Sequence, residues 1–342
     1  MSTTVRQILL SWYDTAARDL PWRRTRDPYA IWVSEIMCQQ TRVDTVIPYY
    51  GRFLERFPTP SALAKAGEDE VMSLWSGLGY YRRARLLHAG VKEVVASYGG
   101  QVPRDAAARR ALPGVGRYTC GAIGSVAFGL PEAIVDGNVA RVLSRLHAID
   151  APLGTAASDK QLWALAGGLA AGPRPGDLNQ ALMELGALVC TPKSPSCDAC
   201  PVRGECGARE ADRVDELPVP KKKKKPREVT MVAVVPRRRD TTWLVKGGGS
   251  LFGGLFGVPS GEGAGVAAAR LVLAQHGLTG RVVDEDPPRV RHVLSHRRLE
   301  VSVYRATHAN GEASSALRAF TDEQLTEVGI ATLTRKILKA SV

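Results

Sequence analysis

Leu112-Pro113-Gly114-Val115-Gly116, followed about twenty residues later by Asp136-Gly137-Asn138, is the stretch around which the chain is organised. A proline and paired glycines between two helix-forming segments predict a tight turn, and its backbone amides can approach a phosphate with no Cβ in the way. Asp136 stands just before a fresh helical pattern through Val139 and Leu143, where its carboxylate would meet whatever the turn holds. The pattern predicts a grip for nucleic acid with an acid behind it.

The composition agrees. The chain has 342 residues, 44% of them apolar, enough for more than one domain with its own core. Its formal net charge of +12 suits a polyanion, either nucleic acid or a membrane surface. No apolar run is long enough to span a bilayer, which favours nucleic acid. Met1 to Leu10 lacks the features of a secretory signal, so a cytoplasmic, nucleoid-associated place is expected. From Val5 to Gly207 apolar residues recur at helical spacing, as in Val71-Leu74-Trp75-Leu78 and Leu178-Leu182-Leu185-Leu188. Around Lys221 to Lys225, Pro218, Pro220 and Pro226 frame five lysines, whose repulsion and proline stiffness predict an extended linker over 213–228. Beyond it β-like runs at Val229 to Val235, Thr242 to Val245 and Leu299 to Tyr304 surround a helical stretch from Gly265 to His276. The expected organisation is a mainly helical domain over 1–212, the linker, and a smaller α+β domain over 229–342.

Four of the six cysteines crowd together: Cys190, Cys197, Cys200 and Cys206, separated by six, two and five residues. Clustering of this kind in an intracellular chain points to a metal rather than disulfides. A structural zinc knot is one reading, although only Cys197 and Cys200 form the close couple typical of zinc. Four unevenly spaced thiolates can also wrap a cubane iron-sulfur cluster, with one sulfur for each iron. Lys193, Arg203 and Arg209 would make the loop a basic edge for a phosphate backbone.

Glu35 lies in Ile31-Trp32-Val33-Ser34-Glu35-Ile36-Met37-Cys38, apolar nearly all round and therefore predicted to be a buried helix. Desolvation there would raise its pKa and suit it to donate a proton, although a buried, hydrogen-bonded carboxylate of purely structural role has the same pattern. Asp136 likewise reads as a helix N-cap or as a functional acid. A protonated acid paired with an ionised one can break a glycosidic bond through an oxocarbenium-like state.

Val33-Ser34-Glu35-Ile36-Met37-Cys38-Gln39-Gln40-Thr41, Gly77-Leu78-Gly79-Tyr80-Tyr81, the 112–116 turn and Val135-Asp136-Gly137-Asn138-Val139, together with the cysteine loop, resemble the MutY adenine DNA glycosylases. These belong to the helix-hairpin-helix superfamily, with endonuclease III as a relative. The resemblance is dense from about Trp12 to Cys206. It implies a helical glycosylase domain with a helix-hairpin-helix near 105–138, and one four-iron four-sulfur cluster on Cys190, Cys197, Cys200 and Cys206. It also implies that Glu35 protonates adenine and that Asp136 stabilises the sugar cation or its covalent successor. Tyr118 stands where the bifunctional relatives carry a lysine nucleophile, and a phenol cannot form the imine, so base release without strand cleavage is expected. Gly114 and Gly116 would hold phosphate, Gln40 and Tyr80 would wedge into the duplex, and Arg18, Trp22 and Gln180 would surround the extruded adenine. Cys38 replaces the usual leucine of that pocket.

In the second domain, Leu251-Phe252-Gly253-Gly254-Leu255-Phe256-Gly257-Val258-Pro259 is similar to a signature of the Nudix-like domain of MutY. Ala267 to His276 carries none of the glutamates that a magnesium-dependent Nudix hydrolase needs. Arg291-His292-Val293-Leu294-Ser295-His296 resembles the loop that reads 8-oxoguanine, with Ser295 and His296 as polar readers and Leu294 where phenylalanine is usual. The implied partner is double-stranded DNA with adenine opposite 8-oxoguanine or guanine, bound by a monomer. Two alternatives share the scaffold: a bifunctional pyrimidine glycosylase-lyase and a mismatch-binding protein without catalysis.

Overall fold

The computed structural model describes residues 2–221, 226–247, 254–283, 285–294 and 296–341. Ser295, Phe252 and Lys222 to Lys225 lie outside them. The chain divides into two units, Met1–Ala64 with Ala89–Lys222, and Lys65–His88 with Lys223–Val342.

The helices run α1 Ser2–Ala16, α2 Pro28–Cys38, α3 Val43–Arg56, α4 Pro60–Lys65, α5 Glu68–Leu74, α6 Arg82–Ser97, α7 Ala106–Ala111, α8 Arg117–Ala122, α9 Gly137–Leu146, α10 Ala156–Ala170, α11 Pro175–Leu188 and α12 Gly207–Glu210. The expected hairpin is present: α7 and α8 flank the 112–116 turn. Gly114 needs its missing side chain for the turn itself, at φ +78°. Gly116 does not, since its φ is −80° and an added Cβ would meet only Arg110 Nη1 at 3.9 Å. What Gly116 offers is open approach to the backbone at the start of α8.

Helix α2 begins with Asp27 as N-cap, accepting from the amides of Tyr29 and Ala30, and Pro28 at its first position supplies a preset φ. Such a cap is worth about 1 kcal/mol. All of Tyr29 to Ser34, with Ile36 and Met37, are buried, so that beyond Pro28 at its start only Glu35 and Cys38 are left part-exposed. The core of this unit joins α1, α9, α10 and α11 through Leu9, Leu143, Leu162, Leu178 and Leu182, and Tyr118 and Met183 pack against it. The segment leading to Asp136 is fixed from two sides. Asn179 Nδ2 donates to Ser125 Oγ and to the carbonyl of Glu132, both at 2.8 Å. Gly121 of α8 lies so close that an added Cβ would stand 2.2 Å from the carbonyl oxygen of Ala133.

The second unit contains a mixed sheet of β1 Arg227–Arg238, β2 Thr241–Lys246, β3 Phe256–Gly257, β4 Ser260–Glu262, β5 Thr279–Val282, β6 Arg289–Val293, β7 Arg297–Asn310 and β8 Leu317–Thr321, with α13 Gly265–Gln275, α14 Gln324–Glu327 and α15 Thr332–Ala340. The order β3-β2-β1-β7-β5 has one parallel pair, β1 with β7, in the register Val229↔Leu299 and Ala233↔Val303. Val229, Ala233 and Val235 of β1 and Leu299, Val301 and Val303 of β7 join a core that includes Leu333 and Ile337 of α15, while Val232 and Val234 of β1 and Tyr304 and Ala306 of β7 join one that includes Ala269 and Val272 of α13. Burial on both faces is why Val229 to Val235 reads as a nearly continuous apolar run. The strand stretches expected from sequence at 229–235, 242–245 and 299–304 lie within β1, β2 and β7, and the helix expected over 265–276 is α13, which ends one residue earlier with His276 as its C-cap. The α+β class of this unit is as expected.

Gly121→Ala is expected to destabilise the protein by about 1–3 kcal/mol, because its new methyl meets backbone rather than a movable side chain. Denaturant unfolding measures this, and a control substitution at Gly137, where an added Cβ meets nothing within 4 Å, should show no such clash.

Candidate active site

A cavity of about 550 Å³ in the first unit is lined by Glu35, Tyr118 and Asp136, with Arg18, Trp22, Cys38 and Gln40 among its other walls. Residues that are distant in sequence thus meet at one place. The Tyr118 hydroxyl donates to Glu35 Oε2 at 2.7 Å and lies 3.3 Å from Met183 Sδ. Burial pushes the Glu35 carboxyl up to about 7, with the Asp136 charge adding to the rise while the Tyr118 hydrogen bond and Arg23 oppose it. Near neutrality a large fraction of Glu35 is therefore protonated. The Tyr118 phenol is driven well above its ordinary range, by burial first and then by the two acids, so it stays a neutral donor.

Asp136 is the N-cap of α9, and the structural and functional readings of this residue coincide. Its Oδ1 accepts the amide of Val139 at 2.7 Å, and its Oδ2 accepts Asn138 Nδ2 at 3.3 Å. Burial raises its pKa, and those hydrogen bonds pull the other way by favouring the ionised form. Asn138 is itself held, its Oδ1 accepting Arg141 Nη2 at 2.8 Å. The same guanidinium donates to the carbonyls of Cys190 and Gly186, each at 2.7 Å. Helix α11 comes so close here that a Cβ on Gly186 would stand 2.6 Å from Asn138 Cβ.

Glu184 was not found from sequence, and it organises the other wall. Its carboxylate receives Arg18 Nε and Nη2 at 2.8 Å and Arg23 Nη2 at 2.8 Å. Burial alone would raise its pKa, yet the two guanidinium groups win and hold it down at about 2. Glu184 is therefore a fixed anion that orients two arginines. Trp22 is buried beside it, edge-on to Tyr50 at 5.4 Å between ring centroids. Gln180 is buried on α11, one turn before Glu184, and does not line the cavity.

Gln40 is exposed at the cavity mouth and adopts φ +55°, a left-handed conformation uncommon outside glycine. In the other unit Tyr80 has the same character, φ +47° and 51% exposure. His296 is exposed at the tip of the hairpin joining β6 and β7, which is closed by the Leu294 amide donating to the carbonyl of Arg297 at 2.8 Å. Leu294 packs inward against the sheet's core. Cys190, Cys197, Cys200 and Cys206 line one small cavity with Arg145, Arg203 and Arg209, and Arg145 Nη1 lies 3.4 Å from Cys190 Sγ. Among the described residues, no group of three or more His, Cys, Asp or Glu side chains is arranged to hold a metal ion. No described helix is long and apolar enough to cross a membrane.

Known proteins share both units. Residues 33–166 match the HhH-GPD superfamily of base excision DNA repair proteins, and residues 231–340 match the NUDIX domain. The adenine DNA glycosylase of Buchnera aphidicola subsp. Schizaphis graminum is 37% identical over 241 residues, which cover 70% of this chain and 70% of that protein. The chain belongs to the adenine DNA glycosylase family. The human adenine DNA glycosylase is 52% identical over 224 residues, 63% of this chain and 41% of that protein. The chain thus spans about two fifths of the length of the human, rat and mouse glycosylases that it matches. A solved thermostable thymine-DNA glycosylase superposes with a TM-score of 0.55 at 33% identity, over 61% of this chain and 97% of that one. An endonuclease III trapped on DNA shares the fold, with a TM-score of 0.52 at 24% identity over 62% of this chain and 98% of that one.

The raised pKa of Glu35 has a sign that can be checked. Its folded-state value lies above the unfolded one, so the ionised side chain opposes folding increasingly as pH rises from the unfolded pKa through about 7. Glu35→Gln should therefore raise the melting temperature more at pH 8 than at pH 5 by calorimetry. Tyr118→Phe removes a hydrogen bond that lowers the Glu35 pKa, and the proton-loss transition of Glu35, followed by carboxyl NMR, should move to higher pH.

Proposed function

We propose that this protein is a monofunctional DNA glycosylase that hydrolyses the bond between adenine and deoxyribose where adenine stands opposite 8-oxoguanine or guanine in duplex DNA. The observation that carries the reading is the meeting of Glu35, Tyr118 and Asp136 on one cavity, with Glu35 held near a pKa of 7. Membership in the adenine DNA glycosylase family, and a cavity large enough for an extruded base, support it.

Protonated Glu35 gives its proton to a ring nitrogen of adenine, N7 by family resemblance, so the electron pair of the breaking glycosidic bond is accepted by a neutral leaving base. Cation character develops on the sugar, and Asp136, whose ionised form the Val139 and Asn138 hydrogen bonds favour, stabilises it or captures it covalently before water completes hydrolysis. Tyr118 steadies Glu35 through its 2.7 Å hydrogen bond and supplies no amine, so the product is an abasic site in an intact strand. Arg18, Trp22 and Glu184 line the same cavity and would surround the base. The 112–116 turn takes the phosphate backbone, Gln40 and Tyr80 fill the gap left by the extruded base, and Ser295 and His296 read the opposite base.

The four cysteines fit a four-iron four-sulfur cluster better than single-ion binding. All four line one small cavity, and Arg145, Arg203 and Arg209 on the same cavity would balance the negative charge of cluster-bound thiolates. When bound, such a cluster would brace the loop of Cys190 to Cys206; no step of hydrolysis is assigned to it.

Glu35→Gln and Asp136→Asn should each keep binding to an adenine:8-oxoguanine duplex while abolishing base release, measured with alkali cleavage of the abasic product. A protein that binds mismatches without catalysis would release no base even as wild type. Strand nicking without alkali, or a borohydride-trapped adduct on damaged pyrimidine with no adenine release, would select the glycosylase-lyase reading. Ser295→Ala with His296→Ala should lower the preference for 8-oxoguanine over guanine; an unchanged ratio removes the hairpin tip from lesion reading. Iron analysis should give four irons per chain, and stoichiometric zinc without iron would exclude the cluster.

A further inference from the structure

The second unit contains, beside its sheet, a stretch from the midst of the helical sequence, Lys65–His88. Its attachment is specific. Lys246 Nζ at the end of β2 donates to Asp69 Oδ1 at 2.6 Å, and Arg318 Nη1 of β8 lies 3.8 Å from Asp69 Oδ2. Arg335 Nη2 of α15 donates to Ser76 Oγ at 3.3 Å. The packing is close at two glycines: a Cβ on Gly254 would stand 2.9 Å from Glu68 Oε1 and 3.1 Å from Arg85 Cδ, and one on Gly329 would stand 3.5 Å from Met72. These anchors lie on both sides of the Gly77-Leu78-Gly79-Tyr80-Tyr81 turn.

The turn has internal bracing as well. The amide of Gly77 donates to the Tyr81 hydroxyl at 3.1 Å, Trp75 Nε1 donates to the carbonyl of Gly79 at 3.3 Å, and Arg83 Nη2 donates to the same carbonyl at 3.1 Å. Yet Tyr80 itself is half exposed in a left-handed conformation, preceded by Gly77 at φ +106° and Gly79 at φ +71°. A turn of this composition has many alternatives when its ends are loose.

We propose that the sheet of the second unit is the platform that positions Tyr80, with Asp69, Lys246 and Arg318 acting as positioning residues for base release. The inference rests on the reading of Tyr80 as a wedge. It means that the wedge and the hairpin tip that reads the opposite base are carried on one unit. Lys246 and Asp69 have side chains 26% and 52% exposed, so the ion pair tunes the turn rather than holding the fold together.

The test uses the full-length protein and a duplex with 2-aminopurine beside the adenine, whose fluorescence rises when the stack is opened. Asp69→Asn, and separately Lys246→Met with Arg318→Met, should each reduce that rise and slow single-turnover adenine release about 2- to 5-fold. The variant combining all three substitutions should be no slower than the worse of the two, because both remove one interaction. In a Tyr80→Ala background Asp69→Asn should have no further effect, which a merely structural contact would not predict. Independent, multiplying losses, unchanged fluorescence, or an equal effect of Asp69→Asn with and without Tyr80 would each overturn the proposal. If the wild type opens the stack without releasing adenine, the proposed activity fails while the fluorescence comparison still decides the positioning.

Discussion

The Arg141 guanidinium is the constraint on which the first unit's chemistry depends. From the second turn of α9 it donates to carbonyls of Gly137, Gly186 and Cys190 and to the side chain of Asn138. Three separate pieces of chain, the start of α9, the end of α11 and the entry to the cysteine loop, are joined through one planar group that cannot give up its charge. Asp136 inherits its position from this arrangement, since Asn138 bonds to it on one side and to Arg141 on the other. Burying a guanidinium is costly unless its hydrogens are used, and here they serve, among others, the Gly186 carbonyl at the C-terminal end of α11, where helix carbonyls lack partners of their own.

A second ordering principle is the separation of charge within the cavity. Glu35 and Glu184 are both glutamates on its walls, and their surroundings drive them apart. Glu184 faces two arginines and remains an anion, whereas Glu35 faces a neutral phenol, apolar helix neighbours and another acid, and keeps its proton to near neutrality. One residue type is thereby held as a fixed anion in one place and as a largely protonated acid in the other, according to the company it is given. The cost falls on stability, because a carboxyl that resists ionisation in the folded state is held there against its preference in water.

Much of this was legible in the sequence, for identifiable reasons. Glu35 stood out because a lone acid in an apolar helix has few explanations, and Asp136 because a cap residue before a helical pattern is locally encoded. The hairpin turn was visible from its proline and glycines, and the parallel strands from an unbroken apolar run. Glu184 and Arg23, 161 residues apart, gave no such signal and look like ordinary surface charges, while Arg18, 166 residues from Glu184, was marked only by the family resemblance. Arg141 would pass for a solvent-facing helix cation, and only the packing of α11 against α9 reveals that it is buried. Strands β5 and β8 escaped because their exposed residues lack alternation. The grouping of Lys65–His88 with the sheet could not be read at all, since it depends on contacts such as Asp69 with Lys246, 177 residues apart.

The left-handed backbone at Gln40 and Tyr80 has a consequence for anyone who would engineer this molecule. Glycine or asparagine at either place would relax the main chain, so a screen that rewards thermal tolerance alone would drift toward them. The side chains lost in that drift are the ones that reach outward from the protein. If these side chains wedge into a duplex as proposed, selection for robustness and selection for that contact pull the two positions in opposite directions.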